Sequence, residues 1–167
     1  MDTDIKGLFG LTDDHVRDFD TDIPGIKVHP SVVGPLNLLR KRAARDGIDL
    51  VVASGFRSYH RQKTIFDEKW MGKRSVLDDE DRILDRSEHH DDDWLYRILR
   101  FSALPGASRH HWGTDIDVFD RSAIAPDGKL SLIPSEYRSD GIFAQLGQWL
   151  SECIERDNAE GLSLIHI

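Results

Sequence analysis

The 167 residues include a single cysteine, Cys153. One thiol excludes an internal disulfide framework and any cysteine-rich zinc module. Long apolar runs are missing too. The longest, Leu50 to Ala53, falls far short of the ~18 residues of a membrane-spanning helix. Cations are outnumbered, 22 Lys and Arg against 30 Asp and Glu, for a formal charge of −8. Such a chain repels phosphate backbones, and no nucleic-acid partner is expected. The first twenty residues carry Asp2, Asp4, Asp13, Asp14, Asp18 and Asp20, with no basic stretch leading into an apolar one. No secretory signal is readable there, so the chain as written is expected to remain in the cytoplasm. Aromatic residues are well represented, with 4 Trp, 7 Phe and 3 Tyr, and 39% of the chain is hydrophobic. That composition supports one packed core and argues against disorder.

Residues 1–30 read as an acidic, turn-rich N-terminal arm with one short strand near Ile26 to Val28. Ser31 is expected to cap a helix whose apolar residues Val32, Val33, Leu36, Leu39 and Ala43 recur at helical spacing, ending at Asp46-Gly47. Ile48 to Ala53 is short, apolar and β-branched, which predicts a buried strand. A second helix is predicted from Tyr59 to Trp70, with Gln62 one turn before Phe66. Nine of the residues from Asp78 to Asp93 are acidic, which suits a solvated loop or exposed helix. An Asp/His metal cluster there would lack any fixed ligand spacing. A short helix bearing Trp94, Leu95, Ile98 and Leu99 should follow, capped by one of Asp91 to Asp93. Thr114 to Phe119 reads as a strand. Asp140 to Arg156 reads as a helix with a broad stripe of Ile142, Phe143, Leu146, Trp149, Leu150, Cys153 and Ile154, which makes Cys153 a packing residue.

One segment concentrates chemistry: Pro105-Gly-Ala-Ser108-Arg-His110-His111-Trp-Gly113-Thr-Asp115-Ile-Asp117. Two imidazoles and two carboxylates lie within eight residues, and both groups ligate zinc well. Residues seven apart sit roughly 10 Å apart along a helix, and farther along a strand. His110 and Asp117 can therefore share an ion only if the chain reverses between them, and Trp112-Gly113 is the natural place. Strand alternation puts Asp115, Asp117 and Phe119 on one face, with Ile116 and Val118 on the other. Asp115 is then a second carboxylate beside the metal, or a turn residue. On residue types alone, metal binding and a merely hydrogen-bonded strand edge both remain open.

Ser108-x-His110-x-x-Gly113-x-x-x-Asp117 resembles the S-x-H-x-x-G-x-x-x-D signature of the VanY-type D-alanyl-D-alanine carboxypeptidases, zinc peptidases grouped with the hedgehog signalling domain. Ser54-Gly55-Phe56-Arg57-Ser58 with Gln62 is similar to that family's upstream S-G-[YF]-R-S-x-x-x-Q segment. The resemblance spans about residues 30 to 158. It implies an α+β fold of the hedgehog/D,D-peptidase type, a small, mostly antiparallel sheet with helices packed on it. The implied activity is zinc-dependent removal of a terminal D-amino acid from D-Ala-D-Ala-type peptidoglycan peptides.

His110 and Asp117 match two of the family's metal ligands. Arg57 matches its catalytic arginine, for which a planar five-donor fork is suited. Gln62 and Ser108 match positions near the substrate. Each has a plainer reading as well: a surface arginine, a helix-packing glutamine and a turn-stabilising serine. The family's third ligand and general base lie in a later E-x-x-H segment, and no such segment follows Asp117 here. The only later histidine is His166, in a tail (162–167) that reads as non-native. The expectation is thus one peptidase-like domain over 31–161, incomplete at its C-terminus and inactive as this chain. A stem-cleaving endopeptidase and a non-catalytic cell-wall-peptide-binding domain are the alternatives. The family's usual substrate would place the protein in the cell envelope or periplasm, against the missing export signal.

Overall fold

In the computed structural model, residues 5–19, 23–125, 127–138, 140–156 and 161–162 are described. They run α1 (Ile5–Leu8), β1 (Arg17–Asp18), β2 (Lys27–Val28), α2 (Pro30–Arg45), β3 (Leu50–Ser54), α3 (Tyr59–Trp70), α4 (Asp91–Phe101), β4 (Asp117–Asp120), α5 (Pro134–Tyr137) and α6 (Ala144–Glu155). The architecture is α+β, but the sheet is divided into two antiparallel ladders, β1–β2 and β3–β4. Among the described residues no helix is long and apolar enough to cross a membrane.

The main core forms where α2 and α6 meet the β3–β4 ladder. Val32, Leu36, Leu39 and Ala43 supply the buried stripe of α2, and Leu50, Val51 and Val52 the buried run of β3. Phe143, Leu146 and Leu150 complete it from the other end of the chain. The N-terminal segment belongs to this core as well, through Phe19, Ile26 and Val28. Its apolar side chains are spaced too irregularly to reveal that in sequence.

Several boundaries differ from expectation for identifiable reasons. His29, not Ser31, caps α2, because Pro30 occupies the first helical position and leaves the His29 ring to accept from the Ser31 N–H. Asp91, Asp92 and Asp93 fill the first turn of α4, where they suit the positive helix end, while His90 is the cap residue. Strand β4 begins only at Asp117, because a bulge in β3 shifts the register between Val52 and Ser54. Phe119 therefore lies in the core, while Ile116 and Val118 also rest against it. Helix α6 starts at Ala144, and its stripe is narrower than predicted, with Ile142 and Ile154 exposed. Cys153 is buried, and that burial pushes its thiol pKa up, as befits a packing residue.

A smaller cluster joins α3 to α4. Val76, Trp94 and Ile98 are buried there against Phe66, Trp70 and Leu84. The Arg86 guanidinium covers the rings of Trp70 and Trp94 at 5.6 and 5.4 Å from their centroids. The acidic segment before α4 is largely loop, tied by Leu77 pairing with Ile83 and by Asp78 bonding Arg82. Leu162 packs on the main core, whereas His166 and the rest of the expected tail lie outside the described residues.

Phe143 is fully buried, with Phe119 and Tyr137 rings 6.1 and 5.2 Å away. Phe143→Ala should lower stability by about 3–5 kcal/mol through lost burial and the cavity left behind. Urea denaturation followed by Trp fluorescence measures this, and a loss below 1 kcal/mol would mean that α6 does not close the core.

Candidate active site

The two motif segments dock directly on each other. One is the loop from Gly55 to Ser58, which leaves β3 and enters α3, with the Ser58 hydroxyl accepting from the Arg61 N–H to cap the helix. The other is the 3-10 turn Arg109–Trp112, closed by Gly113. Three hydrogen bonds join them. The Arg57 N–H donates to the His110 carbonyl at 3.0 Å. His110 Nδ1 donates to the Gly55 carbonyl at 2.9 Å, and His111 Nδ1 donates to the Arg57 carbonyl at 2.6 Å. A carbonyl only accepts, so each Nδ1 carries the proton in these contacts.

That assignment leaves the His110 Nε2 lone pair free, and two carboxylates face it. Oδ2 of Asp115 and Oδ2 of Asp117 each lie 3.7 Å from Nε2. This is too long for a hydrogen bond. It is close to the separation of about 3.4 Å between neighbouring ligand atoms around a tetrahedral ion with bonds of about 2.1 Å. Further contacts restrain the carboxylates. Ser54, brought opposite Asp117 by the β3 bulge, donates its hydroxyl to Asp117 Oδ2, and Arg109 Nε sits 3.9 Å from Asp115 Oδ2. An imidazole tied through Nδ1 to a carbonyl, beside a hydroxyl-held carboxylate, is donor chemistry that suits zinc. Among the described residues, however, no three His, Cys, Asp or Glu side chains close into a metal-binding group.

Gly113 makes the reversal between His110 and Asp117. Its φ is +69°, and an added Cβ would stand 2.5 Å from a Val16 methyl carbon. Its carbonyl accepts from the His29 N–H at 2.8 Å. The predicted turn position and the predicted pair of side chains thus come together.

The remaining residues singled out in the sequence occupy supporting places. Arg57 is half-buried, and burial lowers its pKa while the charges of Asp117 and Asp115 oppose the shift. Its Nη1 donates to Gln62 Oε1 at 2.9 Å, and Gln62 Nε2 donates to the Ala103 carbonyl at 2.6 Å. Gln62 is fully buried, so it stands behind Arg57 as a brace. Ser108 is buried at the start of the 3-10 turn. His111 points away from His110's ligand side, with Nε2 accepting from the Gly106 N–H at 3.1 Å. Both ring nitrogens are therefore used in holding backbone, and burial lowers the His111 pKa. Tyr137 holds β4 through its hydroxyl on the Val118 carbonyl, a contact no motif announced.

A second group invisible in the sequence clamps the turn from outside. His15 Nε2 donates to the His111 carbonyl at 2.8 Å, and the Tyr59 N–H donates to the Gly10 carbonyl at 2.8 Å. Gly10 has φ +71°, and a Cβ there would lie 2.4 Å from His111 Nδ1. Gly10→Ala should consequently cost at least about 2 kcal/mol, from backbone strain and from displacement of the ring. Chemical denaturation, with hydrogen exchange at the Arg57 amide, measures it. Wild-type stability and protection would show that the N-terminal segment is only loosely laid on the turn.

Comparison with known proteins places this geometry. The family model VanY, D-alanyl-D-alanine carboxypeptidase, matches residues 25–157. Two Haemophilus influenzae proteins of strain Rd, each described as uncharacterized, are 43% identical to the chain. One match runs over 49 residues, 29% of this chain and 37% of the relative; the other over 68 residues, 40% and 45% respectively. The chain thus spans less than half the length of these relatives. Among solved structures, VanYB in complex with D-alanine-D-alanine is 19% identical with a TM-score of 0.58, over 84% of this chain and 61% of that one. A mutant of the vancomycin-resistance D,D-pentapeptidase VanY in complex with Zn(II) is 19% identical with a TM-score of 0.55, over 83% and 63%. The D,D-dipeptidase VanXYg in complex with a phosphinate analogue of D-Ala-D-Ala is 22% identical with a TM-score of 0.51, over 86% and 48%. At these identities the likeness is one of fold. The family match, over residues 25–157, takes in both docked motif segments and α6, and the chain belongs to the VanY family of D-alanyl-D-alanine carboxypeptidases.

Proposed function

We propose that this chain is a zinc-dependent peptidase domain that removes a terminal D-amino acid from D-Ala-D-Ala-type peptides. The observation that carries this reading is the His110 Nε2 lone pair, aimed at the Asp117 carboxylate 3.7 Å away in a loop pair that also holds Arg57. His110 and Asp117 would hold the ion, with Asp115 as the neighbouring carboxylate. Zinc, when bound, supplies Lewis-acid polarisation and lowers the pKa of water. Arg57, braced by Gln62, holds the peptide's terminal carboxylate or scissile carbonyl oxygen through its planar fork. The half-burial of that guanidinium strengthens its grip on an anion, since less water screens the contact. Ser108 acts through the turn it begins, by fixing where His110 stands.

Among these 167 residues no E-x-x-H follows Asp117, so they do not by themselves supply the family's third ligand and base in the usual form. For the 167-residue chain we expect weak zinc binding and turnover about 10²–10⁴-fold below that of a site with a general base. Zinc calorimetry beside a D-Ala release assay on an N-acylated D-Ala-D-Ala peptide tests both points. His110→Ala and Asp117→Asn should each abolish the weak zinc binding. Tight stoichiometric zinc with rapid D-Ala release would overturn the two-ligand account, and unchanged zinc binding in both variants would remove the site altogether.

Arg57→Lys separates anion recognition from charge. Lysine keeps the charge and loses the paired donors, so the affinity for the D-Ala-D-Ala peptide should fall about tenfold or more with stability nearly unchanged. Affinity within twofold of the parent would reduce Arg57 to a structural residue. Peptide binding with no D-Ala release under any zinc loading would favour the non-catalytic binding domain.

A further inference from the structure

Lys69 lies two helical turns beyond Gln62 on α3, so both side chains leave the same face. Together they grip two consecutive residues. Gln62 Nε2 donates to the Ala103 carbonyl, and Lys69 Nζ donates to the Ser102 hydroxyl at 2.7 Å. Because Gln62 also holds Arg57, the contacts Arg57–Gln62–Ala103–Ser102–Lys69 fix a second cation along the wall that carries the first. The chain then turns back at Gly72, and the Arg74 N–H bonds the Glu68 carbonyl, which brings Arg74 over the end of α3.

None of these three cations has a carboxylate within ion-pair distance among the described residues. Other Lys and Arg residues do, among them Lys27 with Asp13, Lys63 with Asp67, Arg82 with Asp78 and Arg121 with Asp49. Lys69 is half-buried with a neutral hydroxyl as its partner, and burial, then the charges of Arg74 and Arg57, lowers its pKa to about 8. An anion bound against it would offset the repulsion from Arg74 and Arg57.

We propose that Lys69, with Arg74 beside it, forms an anion subsite for a second carboxylate on the peptide whose end is held at Arg57. This inference rests on the peptidase reading above and narrows its substrate class to acidic peptides. The amine is presented on a rigid helix and anchored by Ser102, so little order has to be gained on binding.

The test measures binding to the full chain by calorimetry with zinc present. The probes are N-acetyl-Glu-Glu-D-Ala-D-Ala and its Gln-Gln counterpart, which differ only in side-chain charge. The Glu peptide should bind about tenfold tighter, and the advantage should shrink as salt rises. Lys69→Met, which keeps an apolar stem, and Arg74→Gln should each remove most of that advantage while the Gln peptide binds as before. Thermal melts of both variants check that the fold is retained. If the Gln peptide binds and the Glu peptide is no tighter, the subsite falls and the peptidase reading stands. A preference that persists in both variants also overturns the subsite, and if neither peptide binds, both readings fall.

Discussion

Everything at this site depends on the docking of one loop against one turn. The loop from Gly55 to Ser58 and the turn from Arg109 to Trp112 are over fifty residues apart in sequence, and three hydrogen bonds join them. Two of these bonds come from imidazoles and do more than join the segments. Donation from His110 to Gly55 ties the segments together and also fixes the tautomer that leaves Nε2 bare. The bond from His111 to the Arg57 carbonyl orients the backbone that carries the guanidinium. Removing either imidazole would leave a carbonyl without its partner in a partly buried place, which typically costs about 1–3 kcal/mol. Structure and chemistry are therefore coupled at neighbouring histidines with opposite tasks.

The surrounding fold reinforces that docking from three directions. The β3 bulge sets Ser54 opposite Asp117, so the carboxylate is held in place by the protein itself. The N-terminal segment closes the outside of the turn through His15, Gly10 and Val16. Arg57 is braced from within by the fully buried Gln62. A site assembled in this way needs little rearrangement on binding, which is the condition for strong electrostatic effects on a ligand.

How much of this was readable from sequence follows from the range of each interaction. Helix α3 was predicted at its observed bounds, Tyr59 to Trp70, because its apolar spacing is local; the Ser58 cap shows only in the structure. His110, Gly113 and Asp117 were readable as a unit because eight residues and one glycine suffice to define a reversal. His111 was not, since its partners, Arg57 and Gly106, can be recognised only once the two segments are in contact. The role of the N-terminal segment was hidden for the same reason. Gly10 and His15 act through one carbonyl bond each and through close packing, neither of which leaves a period in the sequence. The bulge escaped because simple alternation over Thr114 to Phe119 assumes an unbroken ladder. Gln62 was placed near the substrate by its motif, whereas its complete burial makes it a support for Arg57.

Charge distribution supplies the last step. The chain is acidic overall, and its carboxylates crowd the largely exposed segment from Asp78 to Asp93. At the site both signs stand side by side, with Asp115 and Asp117 facing one imidazole and an arginine that has no ion-pair partner among the described residues. Carboxylates gathered around a bare imidazole nitrogen favour a cation at that point, and a desolvated guanidinium favours an anion next to it. A peptide terminus offers both requirements at once, a carbonyl to be polarised and a carboxylate to be held. The adjacent fields of opposite sign would thus orient such a ligand end to end, since reversing it would set its carboxylate against those of Asp115 and Asp117. Orientation of this kind would arise from the fixed positions of the two docked segments, so the same contacts that stabilise the fold would select the direction in which a peptide of the proposed kind could lie.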